Sequence, residues 1–117
     1  METLDAVTAL AALAQETRLS IFRTLVRAHA PKEDEGGLAA GEIAEALDVA
    51  PATLSFHLKE LARAGLVTSR RQGRSIVYRA DLSAMRDLTN FLLKDCCQGA
   101  CGVIGTTARQ RKAECVR

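Results

Sequence analysis

The sequence predicts a mainly α-helical fold with one small β-hairpin, in the order ααααββα. Of its 117 residues, 48% are hydrophobic but only 3% are aromatic. The core must therefore be aliphatic, and the helix-favouring residues Ala and Leu dominate the first half. β-Branched runs on either side of Gly73 supply the two strands. A chain of this length forms one compact domain. We expect residues 1–95 to form this domain and residues 96–117 to form a C-terminal extension.

Two consecutive helices are predicted for the first part of the chain, extending to about His29. Apolar residues recur there at helical spacing, as Leu4, Val7, Leu10, Ala11 and Ala14 in the first helix and Leu19, Phe22, Leu25 and Val26 in the second. Each helix should therefore present an apolar stripe. Residues 30–37 are rich in acidic residues, Pro and Gly, a composition that predicts a surface loop.

A second pair of helices follows, with a tight turn at residues 48–50. The first is predicted over residues 40–47, and the second from Pro51 to Ala64. Pro51 suits the first position of a helix because its φ is already helical and its missing N–H would be unpaired there. Gly65 suits a left-handed helix end. The residues predicted to face the core are Ile43, Ala44 and Leu47 in the first helix and Leu54, Leu58 and Leu61 in the second.

The final elements are a hairpin and a helix. Residues 66–70 and 75–79 are β-branched runs that predict two strands, with Gly73 at the tip of the connecting turn. A last helix should open at Asp81 and end near Lys94. Its shared apolar face is predicted to contain Met85, Leu88, Phe91 and Leu92.

Positive charge is concentrated in the middle of the chain, although the net charge is only +2. Residues 51–79 hold six basic and one acidic side chain, whereas residues 1–50 hold four basic and nine acidic ones. Two short helices joined by a tight turn and followed by a basic hairpin predict a winged helix-turn-helix. In that fold one helix enters the major groove of DNA, and the wing neutralises phosphates. The competing interpretation is an ordinary solvated basic face.

The predicted DNA contacts lie on the outer face of the second helix and on the hairpin. Hydroxyl and aromatic groups can read base edges, and cationic groups can meet phosphates. The candidates are Thr53, Ser55 and Phe56 for base edges and Lys59, Arg70, Arg71 and Arg74 for phosphates. His57 is a further candidate. Because His57 flanks the buried face, packing against the core or a local hydrogen bond is the competing interpretation of this residue.

All four cysteines fall in the last 22 residues, and three of them, Cys96, Cys97 and Cys101, lie within six positions. The start of the chain is acidic rather than basic, and no apolar run reaches the roughly 18 residues of a membrane span. We therefore expect a cytoplasmic protein. Cysteines stay mostly reduced in that compartment, so the cluster indicates metal binding or redox sensing rather than a disulfide framework.

Three segments, residues 13–22, 41–47 and 54–67, together with residues 71–74 and Tyr78, closely resemble the ArsR/SmtB family of metalloregulatory repressors. The resemblance extends over nearly all of the chain to about residue 95. It implies a homodimer that is paired mainly through the first and last helices. It also implies that the dimer occupies a palindromic DNA operator and leaves it when a metal or metalloid binds. Dimeric reading of two half-sites agrees with helix-turn-helix geometry.

The chain departs from two sensor sites of this family. Residues 38–43 lack the cysteines of the best-known arsenic-responsive members, and residues 81–95 lack the histidines of zinc-responsive members. Some arsenic-responsive relatives instead place a cysteine pair and a third cysteine after the last helix. The resemblance therefore implies that Cys96, Cys97 and Cys101 bind As(III) or Sb(III), as arsenite or methylarsenite, and act in arsenical resistance.

The chemistry of the cysteine cluster fits a soft inducer. Thiolates select soft ions, and three of them match the pyramidal coordination of trivalent arsenic. Zinc would need a fourth ligand, and Cys115 is expected to be a bystander. Alternatives are Cd²⁺, Pb²⁺ or Zn²⁺, or a redox switch in which Cys101 captures oxidised Cys96 or Cys97. No C-x-x-C motif, phosphate-binding loop or nucleophile with a base is present, which predicts a non-enzyme without a constitutive cofactor.

Overall fold

The computed structural model describes residues 1–32 and 35–94. Within them, five helices are accompanied by a three-stranded antiparallel sheet whose strand order is β1-β3-β2. The elements in chain order are α1 (Thr3–Leu13), α2 (Glu16–Arg27), β1 (Leu38–Ala39), α3 (Ala40–Leu47), α4 (Pro51–Arg63), β2 (Val67–Gln72), β3 (Ser75–Ala80) and α5 (Leu82–Leu92). This confirms the predicted order ααααββα and adds the strand β1. None of the helices in these residues is long and apolar enough to cross a membrane.

The small and the large apolar residues of α1 lie on different faces of the helix. Ala6, Ala9 and Ala12 are buried against the rest of the domain. The predicted leucine and valine stripe is present, but it points away from the core, with Leu4 76% exposed and Val7 54% exposed. Small alanine side chains let α1 approach α2, α4 and α5 closely. In a single subunit, the larger side chains of α1 therefore remain on the surface.

Most of the largest fully buried core side chains lie on α2, α3 and α4, at positions that the sequence predicts to face inward. The fully buried side chains of the core include Ile21 and Leu25 of α2, Ile43 of α3, and Leu54, Leu58 and Leu61 of α4. The predicted turn between α3 and α4 and the predicted ends of α4 are also present. Asp48 turns the chain at φ 54°, Pro51 begins α4, and Gly65 follows α4 at φ 79°. Leu19 and Val26 of the second predicted stripe are 45% and 39% exposed instead.

The two-residue strand β1 is the element that the sequence did not predict. Leu38 pairs with Tyr78 and Ala39 with Val77, so β1 lies on the opposite side of β3 from β2. A strand this short has no periodicity of its own to reveal it. Gly37 permits the close approach, because a Cβ atom there would lie 2.5 Å from the carbonyl oxygen of Tyr78.

Helix α5 begins at a strong cap and is only partly buried. The Oδ1 atom of Asp81 accepts hydrogen bonds from the backbone N–H groups of Ser83 and Ala84, both at 3.1 Å. Leu88 is buried, with Met85 and Phe91 packed beside the core. The predicted inward position of Leu92 is wrong, since this side chain is 53% exposed. The final turn of α5 therefore adds apolar surface to the subunit.

The tight contact at Gly37 predicts a destabilised variant. Gly37→Ala should lower the free energy of unfolding by at least about 1 kcal/mol, because Gly37 has φ 86° and no room for a Cβ atom. Gly41→Ala in α3 is the matched control. It has open space and should raise the free energy of unfolding by about 0.5–1 kcal/mol. Urea unfolding at equal subunit concentration measures both, and equal shifts would contradict the contact.

Candidate nucleic-acid interface

One face of α4 is exposed to solvent because the opposite face is buried. Because Leu54, Leu58 and Leu61 are at most 1% exposed, the helical repeat turns the positions between them outward. As predicted, the exposed set includes Thr53, Ser55, Phe56 and Lys59. Phe56 keeps 53% of its surface exposed. This face therefore combines hydroxyl, aromatic and cationic groups that can contact base edges and phosphates.

The turn between α3 and α4 also leaves the start of α4 available to an anion. Asp48 adopts the left-handed conformation, and the N–H of Val49 donates to the Ala44 carbonyl. Along α4, all of which is described, no side chain caps the N-terminus and no acidic residue lies in the first turn. Its first N–H groups and the positive end of the helix dipole can therefore meet a phosphate.

The wing, strands β2 and β3, separates its arginines into two groups. Arg71 and Arg74 are exposed beside Gly73, which makes the turn at φ 64°. Arg70 is only partly exposed, and its Nη2 donates to the Gly36 carbonyl at 2.9 Å and to Oε1 of Gln72 at 3.2 Å. Its predicted phosphate contact stays a prediction. In this structure Arg70 ties the loop between α2 and β1 to the wing.

His57 occupies a different position from the other candidates on α4. It is 8% exposed, and its Nδ1 accepts a hydrogen bond from Nε of Arg18 at 3.2 Å. The Cζ atom of Arg18 also lies 5.7 Å from the ring centroid of Phe56. Sequence reasoning did not identify Arg18 as a site residue, because it lies 39 positions from His57 and carries no local signal of this contact.

The basic groups differ in their partners. Arg63, in the last turn of α4, pairs with Glu60 at 3.3 Å. By contrast, Lys59, Arg71 and Arg74 make no ion pair with any residue in 1–32 or 35–94. Cations without a carboxylate neighbour keep their full charge for an external polyanion. The geometry therefore favours these three groups as phosphate contacts.

The predicted thiol site lies outside the described residues. This applies to Cys96, Cys97 and Cys101 as well as to Cys115. Across the two described ranges, no group of three or more His, Cys, Asp or Glu side chains could hold a metal ion.

Comparisons with known proteins agree with this geometry. A helix-turn-helix domain family matches residues 13–70. The transcriptional activator HlyU of Vibrio cholerae is 30% identical over 93 residues, covering 80% of this chain and 79% of HlyU. An ArsR-like transcriptional regulator from Rhodococcus is 31% identical, with a TM-score of 0.66 over 76% of each chain. The chain belongs to the ArsR family. This confirms the family resemblance, while the arsenic-responsive type stays a prediction.

As an ArsR-family protein, the chain is a DNA-binding transcriptional regulator. A homodimeric winged helix-turn-helix domain from Mycobacterium bovis is 30% identical, with a TM-score of 0.60 over 77% of this chain and 78% of that one. It supports both the predicted fold and the predicted dimer. These similar proteins are regulators, which confirms the prediction of a non-enzyme. One solved structure of HlyU is described as its reduced form.

Substitution of the unpaired cations should change the salt dependence of DNA binding. Lys59→Gln, Arg71→Gln and Arg74→Gln should each weaken binding to all sequences and reduce the slope of log K against log salt by about 1.8 for a dimer, which is about 0.9 for each subunit. Fluorescence anisotropy would measure this with a duplex that the protein selects from a randomised pool. Arg63→Gln is the control and should leave the slope unchanged. An unchanged slope for all three variants would remove them from the interface.

Proposed function

We propose that this ArsR-family protein is a repressor whose homodimer leaves a palindromic operator when As(III) or Sb(III) binds Cys96, Cys97 and Cys101. Arsenite and methylarsenite are the expected forms of the inducer. The observation that carries the proposal is the grouping of three thiols within six positions of the sequence. Thiolates select soft ions, and three thiolates satisfy the pyramidal preference of a trivalent metalloid.

The position of the thiols in the chain suggests how they act. Cys96 follows the last residue of α5, Leu92, by four positions. Helix α5 contacts α1, and we propose that both helices form the dimer interface. A ligand bound directly after α5 can therefore favour one arrangement of the two subunits. Its effect on DNA binding equals the difference between its affinities for the two arrangements.

Exposed apolar side chains on α1 and at the end of α5 support this interface. The exposed side chains are Leu4, Val7 and Leu10 on α1 and Leu92 and Leu93 at the end of α5. Large apolar side chains grouped on a surface are typical of a protein interaction site. A second copy of the chain is the partner that the homodimeric relative supports.

The dimer proposal predicts that a charge on α1 separates the subunits. Val7→Glu should shift the protein to monomer in sedimentation-velocity experiments, because it would bury an unpaired carboxylate in the interface. Leu19→Glu on α2 is the control. Leu19 is 45% exposed, comparable to the 54% of Val7, but lies outside the proposed interface and should leave the dimer intact. If Val7→Glu remained dimeric at the same concentration, α1 would not form the interface.

A second candidate function is a redox-sensing repressor that uses the same thiols. The structure of HlyU in a form described as reduced favours it, because that relative is 30% identical. Oxidation of Cys96 or Cys97 by a peroxide would give a sulfenic acid. Attack by the Cys101 thiol would then form a disulfide and release water. A Cd²⁺, Pb²⁺ or Zn²⁺ response is the remaining alternative for this site.

The cysteine variants test the inducer. Cys96→Ser, Cys97→Ser and Cys101→Ser should bind the selected duplex with unchanged affinity but lose release by arsenite, whereas the control Cys115→Ser should be released normally. DNA-release titrations with As(III), methylated As(III), Sb(III), Cd²⁺, Pb²⁺, Zn²⁺ and peroxide rank the effectors. Release by peroxide and not by arsenite would replace the arsenic proposal with the redox one.

In vitro transcription from a promoter that carries the selected site tests the sign of regulation. A repressor should reduce transcription without arsenite and restore it with arsenite. HlyU is named an activator, so an increase in transcription on binding would contradict repression while leaving the inducer site intact.

A further inference from the structure

Arg18 joins the start of α2 to α4, the second helix of the helix-turn-helix, whose outer face carries the predicted base contacts and which we call the recognition helix. Its Nε donates to Nδ1 of His57 at 3.2 Å, and its Cζ lies 5.7 Å from the centroid of the Phe56 ring. Phe56 and His57 meet edge to face, with ring centroids 5.6 Å apart and planes at 62°. The guanidinium is thus positioned by a hydrogen bond to one α4 side chain and by a cation–π contact with its neighbour.

Both ends of this contact are fixed to the fold. The backbone N–H of Arg18 donates to Oε1 of the N-cap residue Gln15 at 2.9 Å. His57 is 8% exposed and sits beside the leucine stripe of α4. Because Nδ1 of His57 accepts a hydrogen bond, the proton of the neutral imidazole is on Nε2. The hydrogen bond therefore orients Arg18 without neutralising its charge.

The remaining hydrogen-bonding capacity of Arg18 is unused. Within residues 1–32 and 35–94, its two terminal nitrogens make no hydrogen bond and the side chain makes no ion pair. These nitrogens carry four N–H donors in a planar fork, a geometry that matches the oxygens of a phosphate. Phe56, beside which this fork lies, is 53% exposed on the outer face of α4.

We propose that Arg18 binds a backbone phosphate of the operator and is a DNA contact outside the helix-turn-helix and the wing. His57 acts as a positioning residue that holds the guanidinium, and Phe56 supports its flat face. The ligand class is the phosphodiester of double-stranded DNA. This inference rests on DNA binding by an ArsR-family regulator and is independent of the inducer proposed for the cysteines.

Charge and geometry at Arg18 can be tested separately. Arg18→Gln should weaken binding to the selected duplex and to a scrambled duplex by the same factor, and reduce the slope of log K against log salt by about 1.8 for the dimer, which is about 0.9 for each half-site. Arg18→Lys keeps the charge but lacks the planar fork, so it should retain most of the slope and still bind more weakly than the wild type. Arg23→Gln removes an exposed charge from the same helix and should leave the slope unchanged.

Methylphosphonate scanning of the duplex identifies the phosphate partner. Replacing one phosphate oxygen by a methyl group should weaken DNA binding by the wild type at one position in each half-site. At that position, the same replacement should weaken DNA binding by Arg18→Lys less. His57→Leu, which removes the acceptor, should weaken binding with the same positional pattern. The proposal is overturned if Arg18→Gln folds and binds with an unchanged salt slope. It is equally overturned if no phosphate position distinguishes Arg18→Lys from the wild type, a comparison that remains available should Arg18→Gln fail to fold.

Discussion

Burial of the leucine stripe on α4 sets the rotation of this helix about its axis, and the proposed DNA-binding surface depends on that rotation. Leu54, Leu58 and Leu61 pack into a single core cluster with residues of α1, α2 and α3. Removing one such side chain costs about 2–5 kcal/mol, so α4 cannot turn about its axis without a large loss of stability. The outward position of Ser55 and Phe56 is a direct consequence. His57 lies at the edge of the same stripe and is therefore drawn into contact with Arg18.

The central part of the fold could be predicted because its local signals agree with one another. For α3 and α4, apolar spacing, Pro51 and Gly65 all specify the same boundaries, and the structure places them there. The exposed positions of Thr53 and Lys59 followed from the same helical repeat. Consistency of this kind among independent signals is what makes a local prediction reliable.

The features that could not be predicted all depend on contacts between distant segments. The sequence identifies an apolar stripe on α1 but cannot say that the alanine face, rather than Leu4 and Val7, packs inward. The close approach of α1 to its neighbouring helices determines which face of α1 packs inward. Strand β1 exists because Gly37 can lie against Tyr78. The contact of Arg18 with His57 likewise depends on the crossing of α2 and α4, which no local pattern encodes.

The wing shows how one residue type can serve two purposes on neighbouring positions. Arg70 and Arg79 both donate through Nη2 to carbonyls of the α2–β1 loop, Arg70 to Gly36 and Arg79 to Ala30. These bonds attach Ala30 and Gly36 to the hairpin. Arg71 and Arg74 lie closer to the tip and stay exposed. Charge count alone does not separate these arginines, whereas the structure shows that Arg70 and Arg79 also bond to the loop.

The burial of the α4 leucines in the core also limits how the proposed inducer can act. Since α1 contacts both α4 and α5 within one core, a ligand near α5 should change the angle between subunits rather than the position of α4 within its own subunit. On the proposed palindromic operator, the two α4 helices of a dimer would meet half-sites about 34 Å apart, so a change in that angle would alter their fit to DNA. A hundredfold loss of operator affinity requires about 2.7 kcal/mol of coupling, within the usual allosteric range. Because coupling is reciprocal, an operator that the proposed inducer releases must weaken binding of that inducer by the same factor.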